Sequence, residues 1–239
     1  DCDGLISVGG GSAMDTAKGI KALLMTDIAH VRANQLPPEG KVPHLAIPGT
    51  AGTGAETTAV AVLYENGQKL SVDHPALLPD GVLLDGSLLD TLPEYHRKSC
   101  AMDALAQGIE SWWAKKATPG SRIHAERAIR GVLDNLTAYL QGDRKAQDEM
   151  LHAAYESGVA ILTTRTTAAH AMSYQITKKL GAAHGHACML TLPHLWAHLA
   201  AQAEYQPMLT ELAHILGGEK PMDGAVLLKG LLAVLELDK

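Results

Sequence analysis

The sequence contains no phenylalanine, only 4% aromatic residues and three cysteines in 239 residues. Aromatic core fillers are therefore scarce, and the 23 glycines supply many positions of unrestricted backbone conformation instead. Cys2, Cys100 and Cys188 are widely spaced and odd in number. A disulfide scaffold does not fit that usage, and a reducing, cytoplasmic compartment is expected. The chain also has no run of about twenty apolar residues and no basic-then-apolar leader, so neither a membrane span nor secretion is expected. A basic surplus is missing as well: 20 Lys and Arg stand against 26 Asp and Glu, a formal charge of −6. Nucleic acid is accordingly not an expected partner.

What is present is length enough for two modest domains, or one domain and part of another, and 12 histidines that can bind metal or carry protons. The apolar run Leu5 to Val8 reads as a short buried strand. It feeds Gly9-Gly10-Gly11-Ser12 and then a helical pattern from Ala13 to Met25, with Ser12 as N-cap and Asp15 in the first turn. A strand so near the start has no earlier strand to pair with, so an N-terminal segment of this part is expected to be missing. Residues 31 to 43 read as a loop. A second strand, His44 to Ile47, runs into Pro48-Gly49-Thr50-Ala51-Gly52-Thr53-Gly54, a loop rich in exposed amides and hydroxyls. Thr57 to Tyr64 and Gln68 to Val72 read as strands around an Asn66-Gly67 turn, and Gly81 to Asp85 as one more.

Beyond a boundary near residue 95 the pattern is helical throughout. Helices are expected at 96–117, 121–141, 145–163, 167–180, 186–202, 206–216 and 222–236, with Ser121 an N-cap and Gly181 and Gly217-Gly218 stops. The helical pattern still running at Lys239 leaves room for a missing C-terminal part. The fold class is thus an α/β nucleotide-binding domain over 1–95, incomplete at its start, followed by an all-helical domain over 96–239.

Two constellations carry chemistry. A three-glycine loop between strand and helix brings backbone N–H groups and a helix N-terminus to a diphosphate. Taken alone it is equally a tight corner without a ligand, and its spacing is not GxGxxG. The second Gly/Thr loop, also at a strand end, tips the balance toward a bound nucleotide. In the helical part, Asp103 and Gln107 share a helix face at about 6 Å between Cβ atoms. His170 and His184 would stand about 21 Å apart on one unbroken helix, but a turn at Gly181 lets them meet. Asp with two imidazoles suits Fe²⁺ or Zn²⁺. Spacing alone equally allows packed histidines and a chance helix pair.

The order of motifs is more specific than any one of them. Gly9 to Lys18 (GGGSxxDxAK), Pro48 to Glu56 (PGTAGTGAE), Met102 to Ser111 (MDALxxxIES) and His170 to Ala187 (HAM, then HGHA) resemble the iron-containing (group III) alcohol dehydrogenase family. The resemblance implies a dehydroquinate synthase-like architecture in which metal and nicotinamide meet between an α/β and an all-helical domain. It implies NAD- or NADP-dependent interconversion of a small aldehyde or ketone with its alcohol, and a homodimer or larger homo-oligomer. Carried over by position, Gly9, Gly10, Gly11 and Ser12 hold the pyrophosphate, with Asp15 close by. Thr50, Ala51, Gly52, Thr53 and Gly54 line the cofactor, and Lys69 is a further cofactor residue. Asp103, His170 and His184 match three of four metal ligands.

Two positions depart from the family pattern. Gln107, the fourth candidate ligand, stands where the usual ligand is a histidine; as a neutral oxygen donor it implies weaker metal binding, a preference for a harder ion, or no metal. Tyr174 stands where a further histidine is common; it or His186 can protonate the product. These departures are similar to the branch that contains phosphonoacetaldehyde reductases, which implies an anion-binding group in the cleft, with Lys178, Lys179 and Arg165 as candidates. The other readings are a glycerol-dehydrogenase-like or dehydroquinate-synthase-like enzyme, or a nucleotide-binding protein without catalysis.

Overall fold

The computed structural model describes residues 3–38, 42–65 and 68–238. Strand β1 (Leu5–Gly9) leads into helix α1 (Gly11–Met25), a short helix α2 (Ile28–Arg32) and strand β2 (His44–Pro48). A hairpin of β3 (Val60–Glu65) and β4 (Gln68–Asp73) follows, then the two-residue strand β5 (Gly81–Val82). β1, β2 and β5 form a parallel sheet in the order β1-β2-β5, and among the described residues β3 pairs only with β4, antiparallel. In the parallel register Gly9 stands beside Pro48, so the loops that leave β1 and β2 emerge side by side.

Several expectations are corrected here. α1 begins at Gly11 and its N-cap is Gly10, whose carbonyl accepts from the amides of Ala13 and Met14. Ser12 is therefore inside the helix, and Asp15 sits in the second turn, where its carboxylate accepts from the Val62 amide at 3.0 Å. Thr57 is in a 3-10 turn, Ala55–Thr57, and β3 starts only at Val60. The segment read as a loop begins with the end of α2. The Asn66-Gly67 turn lies outside the described residues.

Lys18 fixes α1 to that irregular segment. Its buried ammonium donates to the carbonyls of Ala55 (2.6 Å) and Val60 (2.9 Å) and to Thr58 Oγ1 (3.0 Å). The cost of burying it shows in its pKa, which burial pulls down to about 8. Glu56 beside it is pushed up to about 7 by the same cause.

The rest of the described chain is helical: α3 (Glu94–Trp113), α4 (Pro119–Leu140), α5 (Arg144–Thr164), α6 (Ala168–Leu180), α7 (His184–Ala200), α8 (Gln206–Ile215) and α9 (Asp223–Val234). α4 starts earlier than its sequence signal. Thr118 is the N-cap, Pro119 opens the helix, and Ser121 closes a reciprocal capping box with Thr118. α6 stops at Gly181, whose φ of 73° is left-handed, and α7 begins three residues on at His184.

α3 is the axis of this part. Every residue from Ala101 to Trp112 is buried, with Met102, Leu105 and Ile109 in one cluster with Ile129, Met150, Leu192 and Trp196. Asp103, Gln107 and Glu110 are buried in the same stretch. Buried polar groups need partners, and theirs form the site. Among the described residues no helix is long and apolar enough to cross a membrane.

Candidate metal and nucleotide site

Asp103, Gln107 and Glu110 follow one another at i, i+4 and i+7, so α3 carries them along one face. His170 lies in the first turn of α6 with its ring between two carboxylates. Nδ1–H donates to Glu110 Oε2, and Nε2 stands 3.2 Å from Asp103 Oδ1. Glu110 Oε1 accepts from the amides of Thr167 and Ala169, both at 3.0 Å, and so binds the start of α6 to α3.

His184 arrives from the other side of the Gly181 turn. Its ring centroid is 5.3 Å from that of His170, and its Nε2 is 3.9 Å from Asp103 Oδ1. One turn later on α7 Cys188 is fully buried, with Sγ 3.9 Å from His184 Nε2. One donor atom each from Asp103, His170, His184 and Cys188 falls within 4.8 Å of all the others.

The electrostatics favour a cation there. Burial pushes the Asp103 carboxyl up, but the neighbouring His184 and His170 outweigh it and hold it below the carboxylate range. Burial likewise raises Glu110, and its bond to His170 reverses that. Burial pushes both imidazoles down, yet Asp103 leads the interactions that hold His170 and His184 above the ordinary histidine range. Burial pushes the Cys188 thiol up, and its bonding to the two histidines holds it down. Two buried carboxylates thus face two imidazoles and a thiol, a donor set that fits a divalent transition-metal ion.

Gln107 lies on the same face but is held elsewhere. Its Nε2 donates to the Thr53 carbonyl at 3.2 Å, and its Oε1 accepts from Ser157 Oγ at 2.8 Å. The structure therefore joins it to the second glycine loop rather than to the Asp103 cluster.

The two loops touch. The Gly49 amide donates to the Gly9 carbonyl at 2.8 Å, and Gly10 packs on Thr50 so closely that a Cβ would lie 3.1 Å from Thr50 Cγ2. A Cβ on Gly11 would be 3.0 Å from Thr53 Cγ2. Above this contact a cleft of about 980 Å³ opens. Gly11, Ser12, Asp15 and Thr53 line one part of it; Asp103, Gln107, His170, His184 and Tyr174 line another. First-turn amides of α1, which have no acceptor inside the helix, belong to that first wall, and a glycine cradle at a helix N-terminus fits a diphosphate.

Other expected cofactor residues are turned away. Ala51 is buried in the helical core, Gly52 packs on Cys100, and Gly54 packs on Gly158. Lys69 pairs with Tyr64 in the hairpin, and its side chain lies outside the described part. Tyr174 is placed at the cleft, its ring 5.7 Å from that of His184. His186 is not: it is buried, with Nδ1 3.1 Å from Tyr95 Oη and Nε2 2.9 Å from the Leu237 carbonyl. Residues two apart on a helix face different ways, so His184 and His186 cannot both reach the cleft. Lys178 and Arg165 line the cleft, and Arg165 also pairs with Asp73.

Sequence reasoning missed Glu110 and Cys188. Each had a signal in helical spacing, Glu110 at seven residues from Asp103 and Cys188 at four from His184.

Comparison with known proteins agrees with this geometry. Residues 1–86 match the model of iron-containing alcohol dehydrogenase, and residues 98–237 that of the Fe-containing alcohol dehydrogenase family, C-terminal. A phosphonoacetaldehyde reductase of Streptomyces viridochromogenes is 36% identical over 208 residues, covering 81% of this chain and 52% of that protein. The iron-containing alcohol dehydrogenase of Thermococcus thioreducens superposes with a TM-score of 0.90 at 30% identity, over 98% of this chain and 64% of the other. The sulfoacetaldehyde reductase of Bifidobacterium kashiwanohense, solved with NAD+, gives 0.88 at 29% identity, with coverage of 98% and 64%. The chain spans about half the length of the phosphonoacetaldehyde reductase it matches. Two adjoining family matches, a shared fold and a buried Asp-His-His cluster beside a glycine cradle place the chain in the iron-containing alcohol dehydrogenase family.

Proposed function

We propose that this chain carries the metal and nicotinamide site of an NAD(P)-linked aldehyde reductase that acts on a small aldehyde bearing a phosphonate or similar anion. The observation that carries the reading is the single cleft shared by Gly11, Ser12 and Thr53 on one side and Asp103, His170 and His184 on the other. Cofactor and metal chemistry need that proximity, because hydride acceptor and polarised carbonyl must be the same group.

Asp103, His170 and His184 would hold the ion, and the two glycine loops would hold the dinucleotide. When bound, the ion supplies Lewis-acid polarisation of a carbonyl oxygen and the nicotinamide supplies hydride. Glu110 accepts the hydrogen bond from His170 Nδ1–H and keeps that proton in place, so that Nε2, beside Asp103, is the nitrogen that would turn to the ion. Tyr174, which lines the cleft with its ring 5.7 Å from that of His184, would give a proton to the product oxygen. Lys178 and Arg165, on the same wall, offer positive charge to the anionic end of the substrate. Similarity to a phosphonoacetaldehyde reductase and to a sulfoacetaldehyde reductase supports that anionic end.

The test is oxidation of NADH and NADPH by the intact protein with phosphonoacetaldehyde beside acetaldehyde, in the presence of Fe²⁺, Zn²⁺ or a chelator. A metal-dependent rate that favours the phosphonate is expected. Turnover of acetaldehyde alone would keep the reductase and discard the anionic substrate. Absence of turnover with both, in every metal, would overturn the reading in favour of a nucleotide-binding protein without catalysis.

A further inference from the structure

Resting on the reading of Asp103, His170 and His184 as metal ligands, one question stays open in the geometry: which group supplies the fourth donor. Gln107 has both ends of its amide committed, to Thr53 and to Ser157. Turning its Oε1 toward Asp103 would break the buried Ser157 bond and leave that hydroxyl with one acceptor fewer.

α7 offers an alternative. Cys188 follows His184 by four residues and so stands one turn along the same face. The helix is pressed hard against α3 at this end: a Cβ on Gly185 would lie 2.1 Å from the Ser99 carbonyl and 2.7 Å from Asp103 Cβ. Only glycine permits that approach, and it is the approach that carries Sγ of Cys188 to the Asp103 cluster. The sulfur is fully buried, 3.9 Å from His184 Nε2, and within 4.8 Å of the other three donor atoms. Cys100 does not join them; it packs against Gly52.

We propose that Cys188 is a direct sulfur ligand of the divalent ion, taking the place that the family pattern gives to a histidine at position 107. The donor set becomes one carboxylate oxygen, two imidazole nitrogens and one thiolate, and metal binding releases the thiol proton to solvent. A thiolate shifts the preference of the site toward softer ions such as Zn²⁺ and Co²⁺ and away from Mn²⁺ and Mg²⁺.

The experiment is titration of the metal-free intact protein with Co²⁺, followed by absorption. Visible d–d bands report a bound ion, and an intense near-ultraviolet thiolate-to-cobalt charge-transfer band reports sulfur in its shell. Both are expected in the native protein and in Cys2→Ser and Cys100→Ser. In Cys188→Ser the d–d bands should remain and the charge-transfer band should vanish. Native d–d bands without charge transfer, or a band lost with Cys100 instead, would overturn the sulfur ligand while leaving the Asp-His-His site standing. No d–d bands at all would bring down both. Should Cys188→Ser fail to fold, the native and Cys100→Ser spectra still decide, since a missing charge-transfer band in either overturns the proposal.

Discussion

His170 Nδ1–H donates to Glu110 Oε2 while His170 Nε2 stands 3.2 Å from Asp103 Oδ1, so one imidazole is clamped between two buried carboxylates from the same helix. A carboxylate can only accept, so each ring nitrogen presents a proton to its own carboxylate, which holds His170 above the ordinary histidine range; an ion bound at Nε2 would take the place of that proton while Glu110 keeps the one on Nδ1. Glu110→Gln puts an amide in that position and removes the negative charge behind the ring. Loss of such an outer partner costs about 10–100-fold in metal affinity. Competition of the variant with a chelator for Zn²⁺ should show a weakening of that size, with helical content by circular dichroism unchanged.

Gln107 joins α3 to the second glycine loop through the Thr53 carbonyl and to α5 through Ser157. Gln107→Ala should therefore act on the nucleotide more than on the metal. A several-fold rise in the NADH dissociation constant, read by fluorescence titration, is expected, with metal content per chain unchanged. Metal loss at unaltered NADH affinity would mean that the amide is a ligand after all.

Where the Thr50–Gly54 loop meets α5, two glycines make the contact. A Cβ on Gly158 would fall 2.1 Å from Thr57 Oγ1 and 2.4 Å from the Gly54 carbonyl, and Gly54 itself has a left-handed φ of 58°. The Thr57 hydroxyl is a side-chain atom, but the Gly54 carbonyl is backbone, so backbone must move. Gly158→Ala should destabilise by about 1–3 kcal/mol, the usual range for overpacking. Urea unfolding of the variant would show a lower midpoint at the same slope, and NADH binding should weaken because the loop is displaced with it.

How much of this was legible in the sequence follows from where each signal resides. The helices from α3 onward are written locally, in apolar spacing and in stops such as Gly181, and the structure keeps them within a few residues. The hairpin and parallel strands are present too, but their limits are set by pairing: β5 pairs with β2 only over Gly81 and Val82. Asp103, His170 and His184 were named from the motif order, and their meeting depends on the Gly181 turn. Glu110 and Cys188 were passed over because their roles come from what they face across helices. The reverse error, giving His186 a place in the cleft, ignored that residues two apart on a helix diverge.

Glu56 gives the folded state a pH signature. Burial raises its carboxyl from 4.5 to about 7, so the folded chain holds that proton more tightly than the unfolded chain does. Below about pH 4.5 both states are protonated and the contribution of Glu56 to stability is fully present. It is lost as pH rises through the window up to about 7, by an amount on the order of 3 kcal/mol. Glu56→Gln, neutral throughout, should be level with the native protein near pH 5 and more stable than it at pH above about 7. Chemical denaturation of both proteins across that range gives the difference directly; a constant offset would show that the carboxyl titrates alike in both states.

Tyr174 faces the cleft from α6 with its ring 5.7 Å from His184, four residues along the helix from His170. On the proposed reading it supplies the proton to the product oxygen, while His186, the other candidate for that role, is held by Tyr95 and Leu237. Tyr174→Phe keeps the ring packing and removes only the hydroxyl. Loss of a general acid costs typically about 10²–10⁴ in rate, so aldehyde reduction should fall by that factor in kcat, with KM for the nicotinamide and metal content preserved. The diagnostic readout is the split between the two constants: a fall in kcat at unchanged KM marks a lost proton donor. A kcat lowered only slightly would assign the proton to solvent and leave Tyr174 as a wall of the cleft.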